Sequence, residues 1–167
     1  MQAIKLLLPC LIVWLLFGKI FGIAIVRGDS MDPALKQNDL VFFFRLAREY
    51  KAGDIVLMDA EEKADYIKRI AGLPGQTVDF DESRGELLID GKPLPEPYIY
   101  EESYGKKDVY YPLTVGDEEY FLLGDHRSNS LDSRNFGAVP KKQLDGRVLV
   151  LLRFGSGAPT VVELSGK

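Results

Sequence analysis

Cysteine and histidine are scarce in this sequence, whose 167 residues include one of each, Cys10 and His126. A metal centre built from Cys and His ligands is therefore excluded, and so is a disulfide within the chain. We expect no metal and no cofactor, so any chemistry has to come from other side chains.

Clustered basic residues are also missing. Lys and Arg total 21 against 25 Asp and Glu, which gives a formal net charge of −4. Nucleic-acid binding depends on clustered Lys and Arg, so we exclude a dedicated nucleic-acid-binding protein. The length allows one globular domain, and hydrophobic residues make up 46% of the chain, which is enough for a core.

The sequence lacks an uncharged hydrophobic run of full membrane-spanning length. Residues 6–18 carry no charge, but a transmembrane helix needs about 20 apolar residues. Lys5 and Lys19 flank this run, and their charged ends can reach the lipid headgroups from within a longer helix. We therefore predict one transmembrane helix over residues 1–21. A cleaved secretory signal ending at residues 22–24 is the alternative.

What the sequence does contain is a series of short β-branched and aromatic runs separated by turn residues. The runs are "IAIV", "DLVFFF", "DIVLM", "YIKRI", "TVDF", "ELLI", "DVYYPLTV", "EYFLL", "RVLVLLRF" and "TVVEL". Gly-Asp or Asp-Gly pairs, which favour tight turns, border most of them. The pattern predicts a mainly β, antiparallel domain over residues 22–167.

A serine and a lysine are the candidates for nucleophilic chemistry. Ser30 lies in "VRGDSMDPAL", between a strand-like run and a turn at Pro33. In place of histidine, a lysine can accept the serine proton, provided that the lysine is neutral. Burial favours the neutral form, because it can lower a lysine pKa of about 10.4 by several units. Lys68, in the apolar run "YIKRIAGL", fits this requirement best.

Strand alternation places Lys68 on one face with Tyr66 and Ile70, and Arg69 on the opposite face, pointing away from that apolar group. Both candidates also have a purely structural interpretation. Lys68 could protect the edge of a sheet, and Ser30 could cap the turn that follows it.

The stretch "GDHRSNSLDSRNFG", residues 124–137, mixes acids, bases and hydroxyls between two apolar runs. Opposite charges at such density favour a packed charge network over a solvated loop. A polar crossover between strands would have the same composition, so both interpretations stay open.

Four of these stretches together resemble the type I signal peptidases, membrane-bound Ser-Lys proteases that remove signal peptides from exported proteins. "SMDPAL…NDLV", "GDIVLM", "YIKRIAGLPGQTV" and "GDHRSNSLDSRNFGAV" match the motifs of that family in order. The resemblance implies Ser30 as the nucleophile, Lys68 as the general base and Ser130 as a hydroxyl that orients the lysine. It also implies a structural charge network made of Arg69, Asp125, Asp132 and Arg134.

The resemblance further implies an antiparallel β protease domain with a substrate groove and a small β extension at about residues 76–117. Ile23 and Ile25 are our candidates for the lining of the substrate pocket. The backbone N–H of Ser30 is expected to stabilise the oxyanion. The second donor stays open, because Gly28 stands where some family members have a serine.

For location and partners, the resemblance implies a cell-membrane protein with a cytoplasmic N-terminus and an extracytoplasmic catalytic domain. Its partners would be preprotein signal peptides, the lipid bilayer and the secretion translocon. Two other functions are kept as alternatives. One is a non-catalytic or pilin-dedicated assembly factor with the same fold, and the other is a self-cleaving repressor-type Ser-Lys protease.

Overall fold

The N-terminal end of the described chain passes directly from helix to strand. The structure, a computed structural model, describes residues 17–60, 63–106, 108–155 and 159–163. Most of the predicted transmembrane helix, residues 1–21, lies outside these ranges. Residues 17–20 are helical, and Phe21 lies in a strand, where it pairs with Phe44. Within the described ranges, no helix has the length and hydrophobicity needed to cross a membrane.

The described residues form twelve strands, and every strand pair is antiparallel, as the sequence predicts. In chain order the strands are β1 (Phe21–Ile25), β2 (Leu40–Phe44), β3 (Ile55–Ala60), β4 (Lys63–Gly72), β5 (Thr77–Asp81), β6 (Glu86–Ile89), β7 (Lys92–Pro93), β8 (Leu113–Thr114), β9 (Glu119–Leu123), β10 (Val139–Pro140), β11 (Leu144–Arg153) and β12 (Thr160–Glu163). One helix of four residues, α1 (Ser133–Phe136), interrupts the strands between β9 and β10.

The larger sheet carries Lys68 on β4, and Ser30 lies in the segment that connects its strands β1 and β2. Its strand order is β1-β2-β11-β3-β4-β9-β10, and β12 adds to β11. Strand β2 shows why the runs form a half-buried sheet, because Val41 and Phe43 face the core while their neighbours are only partly covered. Gly22 lies opposite Phe43 in this ladder, and a side chain there would collide with the Phe43 ring. The absence of a side chain at Gly22 therefore leaves room for the Phe43 ring and lets β1 pair with β2.

The strands β5 to β8 form a smaller sheet in the order β7-β6-β5-β8. Its β6–β7 hairpin turns at Asp90 and Gly91, both with positive φ, as an Asp-Gly pair favours. The expected strand over "DVYYPLTV" is reduced to the two residues of β8. The smaller sheet occupies the segment predicted as the small β extension, and the division of the chain into a protease domain with this extension stays a prediction.

The two sheets share a core. A cluster of buried side chains contains Val78 and Leu87 from the smaller sheet together with Ala71, Phe121 and Leu123 from the larger one. Because the same apolar contacts stabilise both sheets, β5 and β6 are held against β4 and β9. This contact brings the smaller sheet close to the strand that carries Lys68.

Candidate active site

The turn after β1 fixes the position of Ser30. Gly28 has φ +82°, a conformation that glycine adopts without strain, and it reverses the chain just before the serine. Two side chains beyond the turn, Met31 and Leu35, are buried in the core, and Leu35 N–H donates to Met31 O at 2.8 Å. These buried side chains attach the turn to the core. Ser30, which is half-buried, is thereby held in a fixed position next to them.

Lys68 reaches Ser30 from the middle of β4. Its side chain is 2% exposed, and Nζ lies 2.8 Å from Ser30 Oγ. Burial lowers the pKa of Lys68 from 10.5 to about 8, although the carboxylates of Asp132 and Asp125 act in the opposite direction. A substantial fraction of the amine is therefore neutral near pH 8, which is the form that can accept a proton.

The Ser130 hydroxyl lies beside this pair but does not bond to it. Ser130 is buried, and its Oγ makes no hydrogen bond of good geometry within the described ranges. It packs over the α-carbon of Gly124, where a methyl group would overlap it. Its proximity to Asp132 still helps to keep the pKa of that carboxyl low. The expected hydrogen bond to Lys68 is thus not formed in this structure, and the orienting role of Ser130 stays a prediction.

Arg69 and Asp125 form a buried ion pair next to Lys68. Arg69 donates from Nε and Nη2 to the two carboxylate oxygens at 2.8 and 2.6 Å. The guanidinium also lies 4.0 Å from the centre of the Tyr98 ring. Arg69 lies on the face of β4 opposite Tyr66, as strand alternation predicts, but this second face is covered as well. Arg69 is 7% exposed, because the smaller sheet and its loops cover that face of β4.

Asp132 and Arg134 form the second ion pair of the predicted charge network. Arg134 donates from Nε and Nη2 to the Asp132 carboxylate, at 2.9 Å in both cases. Asp132 also caps helix α1, and it accepts the N–H of Gly124 at 3.1 Å. The pKa of Asp132 is lowered, because these hydrogen bonds and the Arg134 charge outweigh its burial. The loop therefore carries a fixed negative charge near the Lys68 amine.

A third buried ion pair, between Glu96 and Arg127, is a part of the site that the sequence did not reveal. The Arg127 guanidinium bonds to Glu96 and to Ser103, while its Nε donates to Gly124 O at 3.0 Å. Tyr98 donates to the same glutamate. The pair joins the segment after β7 to the loop after β9. A glutamate between two prolines in "PEP" carries no local signal for such a distant partner.

An apolar groove of about 650 Å³ leads to the Ser30 hydroxyl. Leu57, Tyr66 and Ile67 lie along it together with the serine and the lysine. Ile23 and Ile25, the predicted pocket residues, line the same groove from β1, and their side chains are 63% and 57% exposed. Solvent-facing isoleucines on an edge strand form an apolar surface that a bound chain could cover.

The backbone N–H of Ser30 is a free hydrogen-bond donor in the described part of the chain. Within the described ranges the Ser30 N–H donates to no acceptor, so it is available to a ligand oxygen. Gly28 offers no second donor from a side chain, and the space at its α-carbon is open.

A serine hydroxyl bonded to a buried lysine, on an antiparallel β scaffold with an apolar groove, is the arrangement of a serine hydrolase that uses lysine in place of histidine. The sequence model of one family, described as signal peptidase, peptidase S26, matches residues 1–152. The chain belongs to this family. It is a serine endopeptidase that removes signal peptides, as the four motifs predict, and preproteins are its substrates.

Curated relatives and a solved structure agree with this assignment. The signal peptidase I of Bacillus licheniformis is 40% identical over 134 residues, which cover 73% of this chain and 71% of the relative. Signal peptidase I S of Bacillus subtilis is 39% identical over 139 residues, covering 76% and 74%. A crystal structure of a signal peptidase I from Enterococcus faecalis superposes with a TM-score of 0.50 at 29% identity, covering 60% of this chain and 97% of that one.

Proposed function

We propose that Ser30 and Lys68 are the catalytic residues of this endopeptidase. The observation that carries the proposal is the 2.8 Å contact between Lys68 Nζ and Ser30 Oγ, made by an amine that is almost fully buried. Within the described ranges, no other lysine joins a serine hydroxyl in this way. The alternative interpretations, a turn cap and an edge-protecting lysine, do not account for the contact.

The reaction follows from this geometry. Neutral Lys68 accepts the proton of Ser30 Oγ while the oxygen attacks the scissile carbonyl. The free N–H of Ser30 stabilises the oxyanion that forms, and protonated Lys68 then donates its proton to the departing amine. Water hydrolyses the acyl ester with Lys68 again acting as the base.

The charged residues act by holding the loops around the dyad. Both ion pairs are buried. The Arg69–Asp125 pair fixes β4 relative to the loop after β9, and the Arg134–Asp132 pair fixes the conformation within that loop. In the proposed role of Ser130, its hydroxyl orients the Lys68 amine during the reaction. Within the described ranges no hydrogen bond of good geometry holds the Ser130 hydroxyl, although it lies close enough to Asp132 to lower the pKa of that carboxyl, and this supports the role.

The substrate is proposed to bind as an extended strand beside β1. This strand lies at the end of the larger sheet, and among the strands of the described ranges it pairs with β2 alone, so its other edge can pair with a peptide. Ile23 and Ile25 would contact the side chains that precede the scissile bond. A shallow apolar surface of this kind favours small residues at positions −1 and −3 of the signal peptide.

For the cellular setting, we propose a cell-membrane protein anchored by residues 1–21, with the catalytic domain, residues 22–167, outside the cytoplasm and the N-terminus within it. Helical residues 17–20 join directly to β1, which lines the groove, and this continuity supports the proposal. The lipid bilayer and the secretion translocon would then be neighbours of the groove. Protease accessibility in spheroplasts and in inverted vesicles tests the orientation.

The test of the dyad uses two variants and two matched controls. Ser30→Ala and Lys68→Met should each abolish cleavage of a preprotein in detergent while near-ultraviolet circular dichroism stays that of the wild type. Ser83→Ala and Lys92→Met change the same residue types at exposed positions in the smaller sheet and should cleave normally. Cleavage by either dyad variant would refute the proposal.

A further inference from the structure

Lys106 connects the segment after the smaller sheet to the loop beside the dyad. Its half-buried side chain donates from Nζ to Ser130 O at 2.7 Å and to Asn135 Oδ1 at 2.9 Å. An ammonium group has three donors and no acceptor, so two oxygen partners suit its charged form. One lysine thus bonds to both ends of the stretch 130–135.

The bond from Lys106 to Asn135 acts on Asp132, whose carboxylate raises the pKa of Lys68. Asn135 is the third residue of helix α1, and its Oδ1 also accepts the N–H of Asp132 at 3.3 Å, which completes a capping box. Its amide donates to Asp108 Oδ2 at 2.9 Å, so two residues of the 106–108 region hold the same side chain. Lys106 therefore stabilises the cap in which Asp132 is fixed.

The first bond acts on Ser130. A carbonyl held at 2.7 Å restricts the backbone of a residue whose hydroxyl has no partner of its own within the described ranges. Nearby, Arg134 Nη1 contacts Tyr104 O at 3.4 Å, a weaker connection between the same two segments. The position of Ser130 over Gly124 thus depends on contacts from outside the loop.

We propose that Lys106 is a positioning residue for catalysis: it holds Ser130 and Asp132 in place beside the Lys68 amine. The inference extends the proposed Ser30–Lys68 dyad and rests on it. No hydrogen bond joins Lys106 to Ser30 or Lys68 within the described ranges. Lys106 therefore acts on the dyad through the loop and through its charge.

The charges around both lysines give this role a measurable signature. Lys68 faces the carboxylates of Asp132 and Asp125, which raise its pKa, and the cations Arg134 and Lys106, which lower it. The charges that act on Lys106 itself are those of Arg134, Asp132 and Asp108, and burial is the main reason that its own pKa is lowered. Removing the charge at position 106 should therefore raise the pKa of Lys68, so that less of the amine is neutral at pH 7.

The experiment measures kcat/KM against pH for purified full-length protein with a signal-peptide substrate. Lys106→Met should lower kcat/KM at pH 7 about 10-fold, through the loss of charged hydrogen bonds. The midpoint of the pH profile of this variant should move upwards by about 0.3 to 1 pH unit, because a nearby cation is lost. Lys106→Arg keeps the charge and can donate to both oxygens, so its midpoint should stay at the wild-type value. Lys92→Met, an exposed lysine in β7, should leave the whole profile unchanged.

A Lys106→Met profile equal to the wild type would overturn the proposal, and so would a uniform loss of activity with no change in midpoint, since that indicates a purely structural lysine. If Lys106→Met does not fold, Lys106→Gln is measured in its place, with the same expected midpoint change. Failure of this inference leaves the wild-type midpoint and the inactivity of Lys68→Met intact. If the Ser30–Lys68 dyad is wrong, the wild-type profile should show no midpoint near pH 8 and Lys68→Met should remain active.

Discussion

The Lys68 amine lies 2.8 Å from the Ser30 hydroxyl in surroundings that leave the lysine 2% exposed. The desolvation that lowers its pKa to about 8 also favours the neutral amine, which the proposed mechanism uses as the proton acceptor. In this proposal the base results from burial of a lysine rather than from an intrinsically weakly basic side chain.

The activity should follow the protonation of this amine. Below pH 8 the amine is increasingly protonated and cannot accept the serine proton, so kcat/KM should fall about 10-fold per pH unit towards pH 6. Above pH 9 it should reach a plateau. The measurement is a kcat/KM profile from pH 6 to 10, with circular dichroism as the control for folding. A flat profile between pH 6 and 8 would argue for another base.

Lys68→Met should make the protein inactive but more stable at pH 7. Between pH 8 and 10.5 the unfolded chain binds the lysine proton more readily than the folded one, so this group makes folding more favourable as the pH rises. Below pH 8 the buried amine is protonated, and its burial lowers the free energy of unfolding by about 3 kcal/mol, the equivalent of a pKa lowered from 10.5 to about 8.

The free energy of unfolding from urea titrations checks this expectation. Methionine has a similar shape and carries no charge, so the variant should gain up to about 3 kcal/mol at pH 7 and much less at pH 10. Lys92→Met, at an exposed position, should show no such difference. A loss of stability at pH 7 would mean that the buried amine is already compensated by its neighbours.

Removing one partner of the Arg69 and Asp125 pair should destabilise the protein strongly. Arg69→Met leaves a carboxylate without its counter-charge in a site where burial already raises the pKa of Asp125. The expected loss is about 3 to 5 kcal/mol. The double variant Arg69→Met with Asp125→Leu should recover most of it, because no buried charge remains unpaired. Chemical denaturation of the three variants gives the values, and equal losses for single and double variants would contradict the explanation.

The β strands and the central pair of residues could be predicted from sequence, because both depend on local pattern. Alternating apolar runs gave β5, β6 and β9 with bounds correct to within a residue. A lysine within such a run is itself a local signal, and this is why Lys68 stood out. The short strands β7 and β10, of two residues each, have no pattern long enough to detect.

What the sequence missed depends on contacts between distant segments. The Glu96 and Arg127 pair joins residues 31 apart, and the partners of Lys106 lie 24 and 29 residues away. The burial of Arg69 was not apparent from sequence, because alternation assigns one face of a strand to the core, whereas both faces of β4 are covered. Only the packing of the smaller sheet on the larger one determines these contacts.

Gly124 should tolerate no side chain. A methyl group on its α-carbon would lie 2.2 Å from Ser130 Oγ and 2.6 Å from the backbone oxygen of Ser30, and the latter cannot move without shifting the nucleophile. Gly124→Ala should therefore lower kcat by at least 100-fold, because small displacements of catalytic groups cost about this much. Gly155→Ala, where nothing lies within 4 Å, is the matched control and should retain full activity. Wild-type kcat in Gly124→Ala would show that the Ser30 turn can adjust.

The protonation state of Lys68 can be observed directly by nuclear magnetic resonance of protein labelled at the lysine side-chain carbons. The Lys68 signal is assigned as the one that disappears in Lys68→Met, and its chemical shift is followed from pH 6 to 11. The account predicts a titration midpoint near pH 8. A midpoint near 10.5, the value of a solvated lysine, would contradict it, because the amine would then be charged whenever the enzyme works.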